Sequence, residues 1–401
     1  MHSFDFVIIG SGIVGMAVAR SIKQRMPNAT VAVLEKEPHY GLHASGRNSG
    51  VLHCGIYYGS DTLKAKVCSQ GAFRMLEFAE EYAIPYAKSG KLILATQSDQ
   101  LATIDSLMNN ARLNGIKAER VNQQEIKSIE PKVVDSPLGI FCPDTAVIDS
   151  LAVLKQLNLL LQKAGVQFFF NCAAKGLKLT SKNTLLTTQG NFAYGYLYNC
   201  AGAHADTIAR WFGLAADYAL IPFKGIYWKL SSAANHLVRA SIYPVPNIAL
   251  PFLGVHLTRG INGEVYVGPT AIPVLGRENY HMHEGIQFFE ALKIGARLAL
   301  MYLSNQNNFR LLANMELAKY RKNAFLAAAQ KLVPALQKDD LIPSPKVGIR
   351  PQLVDLKTKK LEMDYIIETT KHSTHVLNAI SPAFTSSFAF ADLIINKSGI
   401  I

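Results

Sequence analysis

Apolar residues fill positions 4–9 except for Asp5 and stop at a glycine, the pattern of a short buried strand. From Ile13–Arg25 they recur at helical spacing, and the run ends ahead of Pro27. Val31–Leu34 reads as a second buried strand, closed by Glu35. Together the three segments predict one βαβ unit at the start of the chain.

The same reading predicts helices over 63–82, Leu101–Leu113 and 151–164, and strands over 91–95 and 166–170. Residues 177–180 and 185–188 predict a small antiparallel pair. Residues 194–198 predict a strand that runs into Asn199-Cys200-Ala201-Gly202. In the central part, 256–261 and 264–267 flank Asn262-Gly263, a hairpin signal because both turn positions need positive φ. Helices are expected over 292–303 and 310–332, a strand over 375–377, and a helix from about 383 to 395.

Composition narrows the class. At 401 residues, with 49% hydrophobic and 17% charged, the chain is long and apolar enough for a folded protein of more than one lobe. The net charge of +12 invites an anionic partner, but the cations are scattered, so no nucleic acid is expected. Five cysteines without a Cys-x-x-Cys pair argue against a disulfide framework and a zinc site, and point to reduced thiols in the cytoplasm. No apolar run is long enough to span a bilayer. The basic, amphipathic stretch 310–331 leaves peripheral membrane contact open.

The chemistry begins at Gly10-Ser11-Gly12-Ile13-Val14-Gly15. Gly10 permits the tight turn from strand to helix, Gly12 lets a pyrophosphate approach the backbone, and Gly15 lets helix and strand pack closely. The pyrophosphate would sit on the helix N-terminus, where free N–H groups and the helix dipole favour negative charge. Glu35 stands where a carboxylate can take hydrogen bonds from ribose hydroxyls, and its charge disfavours a 2′-phosphate. The glycine pattern alone leaves NAD and FAD open. Ser45, Arg47, Asn48, Ser49, Gly50 and Val51 then form a loop of small residues and backbone N–H groups suited to a planar ring.

The stretch Ser45-Gly46-Arg47-Asn48-Ser49-Gly50-Val51-Leu52-His53-Cys54-Gly55-Ile56-Tyr57-Tyr58 resembles the flavin loop of L-2-hydroxyglutarate dehydrogenases/oxidases, of the D-amino-acid-oxidase-like FAD superfamily. Leu63-Lys64-Ala65-Lys66, Gly268-Pro269 and Asn378-Ala379-Ile380-Ser381-Pro382-Ala383-Phe384-Thr385-Ser386-Ser387 are similar as well, so the likeness spans almost the whole chain. At Arg47 it breaks, since the family tends to carry histidine there. The resemblance implies an α/β fold: a Rossmann-like FAD-binding domain from 1–85, 150–215 and 345–401, with a mixed α+β substrate domain from 86–149 and 216–344. It also implies oxidation of a 2-hydroxy acid by hydride transfer to FAD.

Such a reaction needs a cation for the carboxylate and a base for the hydroxyl proton. His53, just after the flavin loop, is the first candidate base; it could equally hydrogen-bond the flavin or the loop. His256, beside the hairpin, is the second, or a buried structural histidine. Arg350 and then Arg259 are candidates for the carboxylate, because a guanidinium matches its planar fork. Tyr57 is a candidate wall of the substrate pocket. Ala201 and Gly202 resemble a second cofactor-contacting turn. Ser381 and Thr385 open a segment expected to start a helix whose N-terminus faces the flavin. The electron acceptor is expected to be oxygen or a quinone. An amino-acid or amine oxidase and a non-catalytic flavin- or nucleotide-binding regulatory protein remain alternatives.

Overall fold

The first strand, β1 (His2–Ile9), pairs in parallel with β2 (Val31–Leu34) on one side and with the strand Gly190–Asn199 on the other. The helix α1 (Ile13–Arg25) crosses between β1 and β2. In this computed structural model, residues 1–179, 183–246, 252–282 and 284–400 are described. Two further parallel neighbours, Gln167–Phe169 beside β2 and Ser373–Val376 beside Gly190–Asn199, extend the sheet. The central residues of β1, β2 and Gly190–Asn199, among them Ile8, Val33 and Leu197, are buried on both faces, as continuous apolar runs require in a parallel sheet. The helices α1, Ser150–Lys163 and Ser387–Ser398 cover one face, where Met16, Leu157 and Phe390 share one core.

A second sheet of nine strands carries the other lobe. Its spine is a long antiparallel pair, Tyr218–Leu230 against Leu341–Asp355. The Asn262-Gly263 hairpin is present, with His256–Arg259 paired to Val265–Gly268. A small sheet of Val51–Leu52, Tyr86–Ala87 and Ala146–Ile148 lies at the junction of the lobes. The strand Leu341–Asp355 runs through the domain boundary expected at 345 and belongs to the second sheet as a whole.

Several expected elements shift. The single helix over 310–332 is two, Phe309–Ala318 and Lys322–Gln330, because Arg321 is extended. The two halves serve different cores: Leu312 packs with Phe223, whereas Phe325 packs with Leu257. One straight helix cannot face both. The last helix begins at Ser387 rather than at 383; residues 381–386 form turns, with the Ser386 N–H donating to the Pro382 carbonyl. The expected pair near 177–188 is Ala174–Leu179 with Asn183–Thr187, and position 180 lies outside the described residues.

Candidate active site

The cavity between the two sheets has a volume of about 470 Å³ and runs from the mouth of α1 to the second sheet. One end is the glycine turn. Gly10 has φ +102°, and a Cβ there would lie 2.5 Å from the Cys200 carbonyl oxygen. A Cβ on Gly15 would collide with the Gly10 carbonyl, so Gly15 is a packing residue and does not line the cavity. Gly12 does line it, as N-cap of α1 with no side chain of its own to cap with. The Ser45 hydroxyl takes over, accepting from the Ile13 N–H at 2.9 Å, which ties the 45–51 loop to the helix N-terminus.

Glu35 stands beside this turn. Its Oε2 accepts from the Ser11 N–H (2.9 Å) and hydroxyl (2.8 Å), and its Oε1 from the Glu37 N–H (3.1 Å), which fixes the carboxylate at the cavity wall. Beyond it, Lys36 Nζ touches both Glu37 and Glu278, and His204 Nε2 lies 3.0 Å from Glu278. This clasp joins the second lobe to the nucleotide end. Burial pushes the Glu278 carboxyl up, but the hydrogen bonds from His204 and Lys36 outweigh it and hold it at about 2. Glu37, His43 and Glu278 have the chemistry of metal ligands, but the Lys36 ammonium already supplies their positive charge.

Along the cavity the loop is self-braced. Asn48 Oδ1 accepts from the Gly50 N–H and the Ser150 hydroxyl, and Asn48 Nδ2 donates to the Ser45 carbonyl. Ser49 and Val51 line the wall, whereas Gly50 packs against the Ile148 carbonyl behind it. Arg47 lies over the Tyr280 ring at 4.2 Å and donates to the Leu42 carbonyl. Ala201 and Gly202 line the opposite wall, as do Ser381 and Thr385. The Thr385 hydroxyl accepts from the His53 N–H (3.2 Å) and donates to the Val51 carbonyl (3.3 Å), stitching the C-terminal turns to the loop.

The far end holds His53, His256 and Arg350 together. Arg350 is enclosed by protein except where it faces the cavity, with its guanidinium 5.0 Å above the Phe252 ring. It has no hydrogen-bond or ion-pair partner among the described residues. A desolvated, unpaired guanidinium calls for an anion. The His53 ring likewise has no hydrogen-bond partner among the described residues. Burial, then Lys91, His256 and Arg350, press its pKa down to about 3. His256 Nδ1 donates to the Gly254 carbonyl at 2.9 Å, which leaves Nε2 as the basic nitrogen; its ring stacks on Tyr243 at 4.0 Å. Burial brings His256 to about 4, with Lys91 and Arg350 adding to the effect against the Gly254 hydrogen bond. Both imidazoles are neutral at physiological pH and free to accept a proton.

Two expected substrate residues are not at the cavity. Arg259 donates to the Val238 (2.9 Å) and Asn235 carbonyls and lines a separate hollow with Glu130. The cause is strand periodicity: residues three apart point to opposite faces, so with His256 facing in, Arg259 faces out. Tyr57 lies beneath the floor, its ring 4.6 Å from Lys91 Nζ. Sequence reasoning missed Lys91 itself. This lysine is wholly buried, its ammonium has no hydrogen-bond partner among the described residues, and it sits in a cross-strand row between Ser241 and Cys142. An apolar run such as Lys91-Leu92-Ile93-Leu94 opening on lysine was the available signal, since a strand buried throughout seldom tolerates a charge.

A dinucleotide cradle at one end of a cavity and a cation with two neutral imidazoles at the other define a nucleotide-cofactor oxidoreductase. The chain belongs to the family described as "DAO: FAD dependent oxidoreductase", which it matches over residues 5–397. It is 36% identical over 391 residues to an L-2-hydroxyglutarate dehydrogenase of Indibacter alkaliphilus, covering 96% of each chain. It is 34% identical over 400 residues to one of Escherichia coli, covering 98% of this chain and 93% of the relative. Among solved structures it is similar to L-alpha-glycerophosphate oxidase from Mycoplasma pneumoniae, with a TM-score of 0.78 at 21% identity, over 99% of this chain and 94% of that one. The residues present fit FAD: the glycine turn would admit a pyrophosphate, Glu35 would offer its carboxylate to ribose hydroxyls, and one cavity runs from there to His53, His256 and Arg350.

Proposed function

We propose that the protein oxidises L-2-hydroxyglutarate to 2-oxoglutarate. The observation that carries this reading is the unpaired Arg350 beside two neutral histidines at the end of the cofactor cavity. Gly10, Gly12, Glu35, the 45–51 loop, Ala201, Gly202, Ser381 and Thr385 would hold FAD, with Gly15 and Gly50 shaping the walls behind them. Bound FAD supplies the acceptor for the hydride that leaves C2.

Arg350 holds a substrate carboxylate through its planar fork. Lys91, buried nearby, adds positive potential that favours a dianion without touching it. His53 takes the hydroxyl proton: its ring is uncommitted, and its backbone is pinned where the loop meets the C-terminal turns. His256, with Nδ1–H committed to Gly254, presents Nε2 as the alternative acceptor of that proton. The acceptor that removes the electrons is oxygen or a quinone, and reoxidation kinetics with each distinguish them. The test of the whole reading is anaerobic reduction of the flavin-loaded protein by L-2-hydroxyglutarate, its D-enantiomer, lactate and amino acids.

A further inference from the structure

One more polar side chain faces the reacting end of the cavity. Tyr227 lies two residues beyond Gly225 and four beyond Phe223, and all three line the cavity, as alternate positions on one face of a strand do. Phe223 pairs with Arg350, so Arg350 and Tyr227 share that face of the long antiparallel spine. The Tyr227 hydroxyl has no hydrogen-bond partner among the described residues. Burial pushes its pKa well above the ordinary phenol range, so it keeps a proton to donate.

The spine is irregular at this residue. One strand takes two steps from Ile226 to Trp228, while its partner takes four, from Val347 to Pro343. The two extra residues make a bulge opposite Tyr227, the kind of irregularity that re-aims side chains. Lys346, in the bulge, brings Nζ to 5.7 Å from the centre of the Tyr227 ring and 4.5 Å from that of Tyr266. Tyr266 meets Tyr227 edge-on at 6.5 Å. On another side Gly268 abuts the ring, since a Cβ there would stand 3.0 Å from Tyr227 Cδ1. Lys346 has no ion-pair partner among the described residues. Burial presses its pKa down to about 8, with Glu264 opposing the shift. Glu264 is already held by Lys229 and by the Tyr266 hydroxyl, each at 2.6 Å. The half-buried ammonium is left with two aromatic rings, and such a cation favours an anion nearby.

We propose that Tyr227 is a specificity-determining residue, its hydroxyl donating to the substrate carboxylate that lies farther from the reacting carbon, while Lys346 supplies positive potential there. The inference rests on the 2-hydroxyglutarate reading and adds what selects a diacid. At about 3.3 Å per residue, the backbones of Phe223 and Tyr227 stand about 13 Å apart, a gap that the Arg350 and Tyr227 side chains and a five-carbon diacid between them can fill. A monoacid of the same length, L-2-hydroxyvalerate, satisfies Arg350 and leaves the phenol unpaired, which is how a buried donor rejects the wrong substrate. Lys346 acts through the phenol and its potential, so it is a positioning residue.

Stopped-flow reduction of the FAD-loaded protein by L-2-hydroxyglutarate, with L-2-hydroxyvalerate as substrate or competing ligand, tests the proposal. Wild type should bind the diacid at least about tenfold more tightly than the monoacid. Tyr227→Phe keeps the ring and removes the donor, so the Kd for the diacid should rise about tenfold or more and that for the monoacid about twofold or less. The wild-type Kd for the diacid should also rise as pH passes about 8, where the Lys346 ammonium loses its proton. Lys346→Met should bind the diacid more weakly below that pH and lose the limb. Equal binding of diacid and monoacid by the wild type, or a Tyr227→Phe that weakens both alike, overturns the proposal and leaves L-2-hydroxyglutarate as the substrate. An unchanged limb in Lys346→Met overturns the part given to Lys346. A flavin that L-2-hydroxyglutarate does not reduce at all overturns the reading beneath the proposal and the proposal with it.

Discussion

Arg350 is the residue whose chemistry is least replaceable. Its guanidinium is desolvated and unpaired among the described residues, and the substrate carboxylate proposed for it would supply the compensating charge. Arg350→Lys should keep FAD and lose kcat/KM by about 2–4 kcal/mol, since an ammonium cannot reproduce the bidentate fork. Steady-state kinetics check this, and near-normal values would remove Arg350 from the carboxylate. His53→Asn should slow flavin reduction about 10²–10⁴-fold with FAD still bound. An unperturbed histidine titrates near neutrality; burial and Lys91 move His53 to about 3. A base must be deprotonated, so the rate rises with pH only through that acid region and is level above about pH 5. The same sign gives Lys91→Met a distinct signature. Without the buried cation, both imidazoles bind protons more readily, and the acid limb of kcat/KM should move to higher pH. Stopped-flow reduction across pH reads both variants; an unmoved limb in Lys91→Met would make Lys91 purely structural.

At the scale of elements, the parts that were legible were those where one period governs. Ile13–Arg25, Val31–Leu34 and Leu101–Leu113 follow the pattern from end to end: the first is buried all round over its N-terminal turns, the second is buried throughout, and the third buries one face. The long strands Tyr218–Leu230 and Leu341–Asp355 were not legible. Pro222 in the first, and Pro343, Pro345 and Pro351 in the second, break the signal that a central strand gives. Yet among the described strands Leu341–Asp355 pairs with Tyr218–Leu230 alone, apart from a single bridge from Val354 to Leu361, and on such an edge proline is tolerated. That strand carries Arg350, so the candidate cation was found by residue type while its support stayed hidden. Arg259 was the converse: strand parity with His256 already pointed it away from the cavity. The glycine turn admits a direct test. Gly15→Val would drive a side chain into the Gly10 carbonyl, parting α1 from β1. The expected result is protein destabilised by about 1–3 kcal/mol and purified without flavin. Retention of FAD with unchanged thermal stability would contradict the close-packing role of Gly15.

Across the whole molecule, the residues proposed to hold the cofactor and most of those proposed to act on the substrate come from opposite lobes. The first sheet supplies the glycine turn, Glu35 and the Ala201-Gly202 turn, while the second supplies His256 and Arg350. His53 and Thr385 meet at the seam, and the Lys36–Glu278 clasp holds the lobes together at the nucleotide end. The family and the cofactor were readable from motifs close together in sequence. The Lys91 cation and the clasp were not, because each depends on residues brought together by the fold alone. What joins these observations is one claim: a 2-hydroxy dicarboxylate, held by Arg350, gives up a proton to His53 as its hydride leaves for FAD. Anaerobic mixing of the FAD-loaded protein with L-2-hydroxyglutarate, followed by its visible spectrum, tests that claim most directly. The account predicts rapid bleaching of the flavin with one 2-oxoglutarate formed per flavin, and little or none with the D-enantiomer or amino acids. A flavin that stays oxidised with L-2-hydroxyglutarate, or that is bleached faster by an amino acid, would contradict it.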